Sequence, residues 1–229
     1  MIPKVLHFTY KNELMLNQHQ SYLDSAQRIN KGWQINLYDD ETARNIVKEH
    51  FDEYLQMFDN FKHAVQRADV FRLMIMYLKG GFYADLDMEF LKPLYDLTTH
   101  QLILAEEKTL SAEECNRLKH LYPMRIANYM FGSEAYHPFW LDVLKAIRFQ
   151  NNLTVKNEND ILQHTGPGLF TNIFHQFKNK YPEIYLLENK TNRCLKNCNP
   201  KISCHFGDYA RHWHQGSWRW QNKSTNLQE

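Results

Sequence analysis

The sequence predicts an α/β domain, a largely parallel sheet covered by helices. Two observations carry this prediction. Short segments that alternate apolar and polar residues recur between segments with helical spacing, the pattern of strands and helices in layers. One helical segment, Val70–Leu78, is apolar on nearly all sides and therefore belongs in an interior rather than on a surface. No internal repeat, linker or low-complexity stretch interrupts the pattern, so residues 1–229 are expected to form a single domain, with residues 190–229 as a tail that closes over its site.

The elements follow in order. Val5–Tyr10 reads as a first strand, with Pro3 tolerated ahead of it. Residues 17–30 suit a helix stopped by Gly32, and Trp33–Tyr38 alternates as a second strand. Asp39 and Asp40 offer caps to a helix over Glu41–His50, and a short helix spans Phe51–Phe58. The apolar helix then runs to Gly80-Gly81, and a short extended segment ends in Asp85 and Asp87. Leu102–Ala105 is a buried strand, 106–124 a polar loop with one helical turn, and Arg125–Gly132 extended. Pro138 opens a helix through Phe149, Gly166-Pro167-Gly168 launches another to about Lys178, and Ile184–Leu187 is a last strand. The tail from Asn189 is polar, rich in Cys, His and Trp, and matches no element.

Composition narrows the function. Lys and Arg number 27 against 26 Asp and Glu, which argues against a nucleic-acid binder working by bulk charge. Aromatic residues make up 14% of the chain, a level that suits either ring-binding pockets or a well-packed core. The chain opens on Ile2-Pro3-Lys4-Val5 without a signal-peptide pattern, so a cytoplasmic protein with reduced thiols is expected. Cys194, Cys198, Cys204 and His205 invite a zinc reading, but their spacing matches no common zinc motif. No apolar run approaches the ~20 residues that span a bilayer.

The chemistry gathers around residues 62–90. Alternation along a strand puts Tyr83, Asp85 and Asp87 on one side and Phe82, Ala84 and Leu86 on the other. Two hard carboxylates so placed can hold a divalent cation beside a phosphate. In the preceding helix Asp69 and Arg72 are three apart and share a face, either as an exposed ion pair or as a polar stripe aimed at a ligand. Their apolar surroundings favour the second reading, since buried charge must be paired or used. The sequence contains no G-x-G-x-x-G, P-loop, H-E-x-x-H or G-x-S-x-G motif.

The string R-A-D-V-F-R-x-x-x-M-Y-x-x-G-G-F-Y-A-D-L-D, from Arg67 to Asp87, resembles the core motif of the D-x-D sugar transferases. That family includes bacterial capsular-polysaccharide enzymes and the initiating mannosyltransferase of yeast outer chains, and it is related to the clostridial glucosylating toxin core. Further matches follow in the family's order. They are Ile2-Pro3-Lys4-Val5-Leu6-His7, Trp33–Asp40, Asn128 with His137-Pro138-Phe139-Trp140, Thr165-Gly166-Pro167-Gly168, and His212-Trp213 with Gly216-Ser217-Trp218. Arg211 departs from the pattern, standing where the family usually carries an apolar residue.

The resemblance implies a GT-A-type fold, a nucleotide-sugar donor, a glycan or lipid-linked acceptor, and hexosyl transfer with retention. It also implies a divalent ion, Mn²⁺ ahead of Mg²⁺, held by Asp85, Asp87 and His212. Asp87 would ligate directly, with Asp85 on the ribose or acting through water. Asp69 and Arg72 would hold sugar hydroxyls, with Tyr83 beside them and Asn128 near the anomeric carbon. His7, Phe8 and Tyr10 would border the base, although His7 also reads as a core histidine. Ser217 and Trp218 would close over the diphosphate, unless the tail tryptophans simply pack. A UDP-sugar is favoured, with GDP-mannose as the alternative. The stretch from Arg211 to Lys223 could rest peripherally on a membrane, but a lid over the site fits it better. Two rivals of another class are a D-x-D phosphohydrolase, disfavoured by Glu89 and the mid-chain position of the motif, and a non-catalytic sugar-nucleotide-binding protein.

Overall fold

The computed structural model describes residues 1–118, 121–150, 154–188 and 204–215. Its strands are β1 (Val5–Thr9), β2 (Gln34–Tyr38), β3 (Gly81–Ala84), β4 (Met88–Phe90), β5 (Leu102–Thr109), β6 (Met124–Ile126), β7 (Met130–Ser133), β8 (Ile184–Leu187), β9 (Cys204–Phe206) and β10 (Ala210–His212). Its helices are α1 (Glu13–Gln18), α2 (Gln20–Ile29), α3 (Asp40–His50), α4 (Asp52–Asn60), α5 (Ala64–Lys79), α6 (Ala112–Leu118), α7 (Phe139–Phe149), α8 (Glu158–His164) and α9 (Pro167–Phe177).

The main sheet runs β2-β1-β3-β7-β5-β6, and β8 adds to β5 in parallel. β2, β1, β3, β5 and β8 point one way and β7 and β6 the other, so the sheet is mostly parallel, as expected. A second, antiparallel sheet of β4, β10 and β9 lies beside it.

The period of two sorts the strand side chains onto two cores. Tyr83, Leu102, Leu104 and Phe131 face α3, α4, α5, α7 and α9, where Val70, Met74, Trp140 and Phe170 are buried. Phe82, Ala84, Ile103, Ala105 and Met130 face the other way, onto Leu6, Phe8, Leu23 and Phe206. Helix α5 is buried from Val70 to Met76, which explains its apolar surface. It ends on Gly80 at φ +62°, where an added Cβ would lie 2.5 Å from Ala135 N and 2.7 Å from Ser133 O. Only glycine fits that close approach in that backbone region.

Several elements differ from expectation. The helix read over residues 17–30 is two helices, starting at Asn12, whose side chain caps Met15 N. His19 separates them: its Nδ1 bonds Met15 O at 2.7 Å, so the ring occupies a carbonyl at the break. β5 runs on through the polar residues to Thr109 because β6 pairs with its second half. Glu107 and Arg125 form a buried ion pair of 2.9 Å between those strands. The polar segment after it holds α6, a full short helix. The strand before Asp85 stops at Ala84, and a turn closed by Met88 N–H on Asp85 O carries Leu86 and Asp87. That turn, and not continued alternation, delivers the two carboxylates. The tail that matched no element supplies β9 and β10.

Candidate active site

Strand β10 brings the tail to the turn. Its register sets His212 opposite Met88, and Trp213 N–H donates to Asp87 O at 3.1 Å. His212 Nε2 then lies 3.1 Å from Asp87 Oδ1 and 3.9 Å from Asp85 Oδ2. Gln215 N–H donates to Asp87 Oδ2 at 2.8 Å. The three side chains offer ligand atoms all within 4.8 Å of one another.

On the other side of Asp85 stands a second polar group. Tyr83 donates its hydroxyl hydrogen to Asp85 Oδ1 at 2.9 Å, which leaves Thr9 Oγ1 as the donor to the Tyr83 oxygen, also at 2.9 Å. Arg72 bridges the two carboxylates, Nη2 lying 3.3 Å from Asp69 Oδ1 and Nη1 3.3 Å from Asp85 Oδ1. Its guanidinium lies 4.7 Å over the Tyr83 ring and donates to the Asn128 carbonyl. Asp69 also accepts from Asn128 Nδ2 at 3.2 Å and from Thr165 Oγ1 at 3.0 Å.

Burial and charge pull these groups in opposite directions. Burial raises Asp87, but the charge and hydrogen bond of His212 outweigh it and hold the carboxyl far below the usual range. Burial disfavours charge on His212, yet Asp87 and then Asp85 raise it above the ordinary histidine value. Asp85 is raised by burial against Arg72 and His212. Asp69 is pushed up to about 7 by burial, against Arg72 and Thr165. Arg72 stays protonated: burial opposes its charge, while Asp85, Tyr83 and Asp69 favour it more strongly.

The Asp85, Asp87 and His212 cluster fits a divalent metal. Two carboxylates and one imidazole are a hard-oxygen set with one borderline nitrogen, and His212 Nδ1 is buried with no hydrogen-bond partner among the described residues, leaving Nε2 toward the carboxylates.

The other expected residues stand elsewhere. His7 is fully buried and spends both nitrogens on the protein, Nδ1 on Tyr38 OH at 2.9 Å and Nε2 on Gly80 O at 2.8 Å. Burial lowers it to about 4, so it is neutral at pH 7. Phe8 is in the core, edge-on to Phe90, and Tyr10 packs partly against the same cluster. Ser217, Trp218, Cys194 and Cys198 lie outside the described residues. Thr9, Thr165, Trp213 and Gln215 join the site without having been assigned roles from the sequence. Thr165 and Trp213 sat inside matched motifs; Thr9 and Gln215 carried no signal. A recess of about 390 Å³, lined by Asp40, Glu41, Arg44, Phe58, Asp59 and Arg67, adjoins a smaller one that reaches Thr9.

Residues 17–110 match the family described as "Glycosyltransferase sugar-binding region containing DXD motif". The mannosyl phosphorylinositol ceramide synthase SUR1 of Saccharomyces cerevisiae is 28% identical over 178 residues, covering 78% of this chain and 43% of that protein. An uncharacterized glycosyltransferase of Acanthamoeba polyphaga mimivirus is 26% identical over 195 residues, covering 83% of this chain and 72% of its own. Among solved structures, the PaToxG glycosyltransferase superposes with a TM-score of 0.50 at 16% identity, covering 79% of this chain and 70% of that one. The resemblance to D-x-D sugar transferases is therefore found in sequence comparison as well as in the motifs, and the fold is that of a glycosyltransferase. The chain spans about half the length of most of the curated relatives it matches.

Proposed function

We propose that this chain is a divalent-metal-dependent glycosyltransferase that moves a hexosyl group from a nucleoside-diphosphate sugar to a hydroxyl of a glycan or glycolipid, with retention of anomeric configuration. The observation that carries the reading is the convergence of Asp85, Asp87 and His212 beside the Asp69–Arg72 network, in a chain whose residues 17–110 match a D-x-D sugar-binding region.

Asp85, Asp87 and His212 would hold the ion, with Mn²⁺ preferred to Mg²⁺ because one ligand is an imidazole. A bound cation there supplies Lewis-acid neutralisation of charge on the departing diphosphate. Arg72, kept protonated between Asp69 and Asp85, adds positive charge on the same side. Asp69 and Asn128 take the donor-sugar hydroxyls; each Asp69 oxygen already accepts from the protein, and these bonds fix the carboxylate in place. In retaining transfer the bond from the anomeric carbon to the diphosphate breaks, and the acceptor oxygen bonds the same face of that carbon. The acceptor proton passes to a departing phosphate oxygen, so no separate base is required. By the resemblance, Ser217 and Trp218 complete the diphosphate site from the tail.

The mannosyl unit in the yeast relative's name favours GDP-mannose over the UDP-hexose that the sequence alone prefers, and its phosphorylinositol ceramide favours a glycolipid acceptor. The test is donor hydrolysis without acceptor, followed by NMR on GDP-mannose, UDP-glucose and UDP-N-acetylglucosamine with and without Mn²⁺. Release of the α-anomer that requires metal is the expected result. No turnover of any donor, or equal turnover in chelator, would refute the reading.

A further inference from the structure

The turn carrying Asp87 is polar on both sides, and the proposed donor takes up the Asp85, Asp87 and His212 cluster and the side of Arg72, Tyr83 and Asp69. Across it lies a set of side chains that the donor leaves unused. Glu89 and Arg211 face each other in the β4–β10 pair. Alternation turns them away from Met88, Ala210 and His212, which are buried, and leaves both side chains 36% exposed. Trp213 joins them, its Nε1–H donating to Glu89 Oε2 at 3.1 Å, with the Arg211 guanidinium 5.6 Å over the indole. Arg211 Nη1 is 3.7 Å from Glu89 Oε2, too long for a hydrogen bond, and its Nε is buried with no hydrogen-bond partner among the described residues, so its terminal nitrogens are the ones open to a ligand. The group adjoins the carboxylate cluster directly, through Trp213 N–H on Asp87 O. Gln215 links that cluster to Tyr22, donating from Nε2 to the phenol oxygen at 3.1 Å.

A loose, partly exposed Glu–Arg pair adds little stability, and Arg211 replaces the apolar residue of the resembled family. What the set presents is an indole, a carboxylate that accepts, a guanidinium with donors to spare, and a phenol. A ring with an apolar C–H face and adjacent hydroxyls matches all of these: the face lies on the indole, and the hydroxyls span carboxylate and guanidinium. An anionic group fits poorly, because Glu89 would repel it.

We propose that Glu89, Arg211 and Trp213, with Tyr22 at their edge, form the acceptor subsite, and that the acceptor presents to it a neutral cyclic polyol, a sugar or inositol ring. This rests on the transferase reading, which assigns the opposite side of the turn to the donor. The experiment is an NMR titration of methyl α-D-mannopyranoside and of myo-inositol into the full chain, with and without GDP plus Mn²⁺. Wild type is expected to bind at least one ring. E89Q and R211M should weaken it fivefold or more, R211K should recover part of the loss, and inositol 1-phosphate should bind no better than inositol. Absence of ring binding by wild type, variants binding as wild type, or tenfold preference for the phosphate would each overturn the proposal. A GDP-dependent shift of the protein signals in the same samples reports on the transferase reading separately: nucleotide binding without ring binding sinks the subsite alone.

Discussion

His212 Nε2 lies 3.1 Å from Asp87 Oδ1, so the cluster near the middle of the chain is completed by its last described strand. The pair is buried and mutually stabilising, each partner holding the other in its charged form. A site split in this way depends on the β4–β10 pairing for its assembly.

On the proposed reading, removal of His212 should weaken the metal without unfolding the chain. His212→Ala is expected to lower Mn²⁺ affinity by about tenfold or more, since losing even an outer partner of a metal ligand costs roughly 10–100-fold. Calorimetric titration of Mn²⁺ into wild type and variant measures it; equal affinities would remove His212 from the ligand set.

The Asp69–Arg72 pair should respond unequally to two substitutions. Asp69→Ala strips Arg72 of one buried partner and leaves the Thr165 and Asn128 donors unpaired, at a cost of roughly 3–5 kcal/mol. Asp69→Asn keeps an acceptor and should cost clearly less. Urea midpoints compare the two: equal large losses would contradict the smaller cost expected of Asp69→Asn, and negligible losses in both would mean the network contributes little to the fold.

Gly80→Ala should destabilise by more than about 1 kcal/mol, since the new methyl meets backbone at 2.5 Å and the residue sits at φ +62°. A thermal melt within a degree of wild type would contradict the close approach.

His7 sets a pH dependence with a definite sign. Its folded value is about 4, below the ordinary 6.5, because burial disfavours the charged ring. The unfolded chain therefore binds the extra proton between those values, and stability falls as pH drops from 6.5 toward 4. The loss is roughly 3 kcal/mol by the usual conversion of pKa shift to free energy. His7→Gln should lessen the difference between urea midpoints at pH 7 and pH 4.5; an undiminished difference would assign it to other groups.

How much was legible in the sequence depended on whether the signal was local. Asp85, Asp87, Asp69 and Arg72 lie on one continuous stretch, and helix spacing and motif sufficed to single them out. The alternation argument brought Asp85 and Asp87 together, as the structure does, for a partly wrong reason, because hydrogen bonding of Met88 N–H to Asp85 O, and not strand periodicity, turns the chain there. His7 shows the opposite case. The resemblance set it at the border of the base, with a core histidine as the alternative, and its burial against Tyr38 and Gly80 matches the alternative through long-range pairing that spacing does not carry. β9 and β10 were illegible for the same reason: three-residue strands hold no period, and here β10 pairs with the edge of β4 and β9 with β10.

The most direct measurement is thermal stability of the chain with GDP and UDP, in Mn²⁺ or in chelator, for wild type and Asp87→Ala. A ligand at a hundredfold excess over its dissociation constant adds ~2.7 kcal/mol, enough for a visible shift in melting temperature. The account predicts a shift with at least one nucleotide that requires Mn²⁺ and disappears in Asp87→Ala. An equal shift in chelator, or one that survives the substitution, would contradict it.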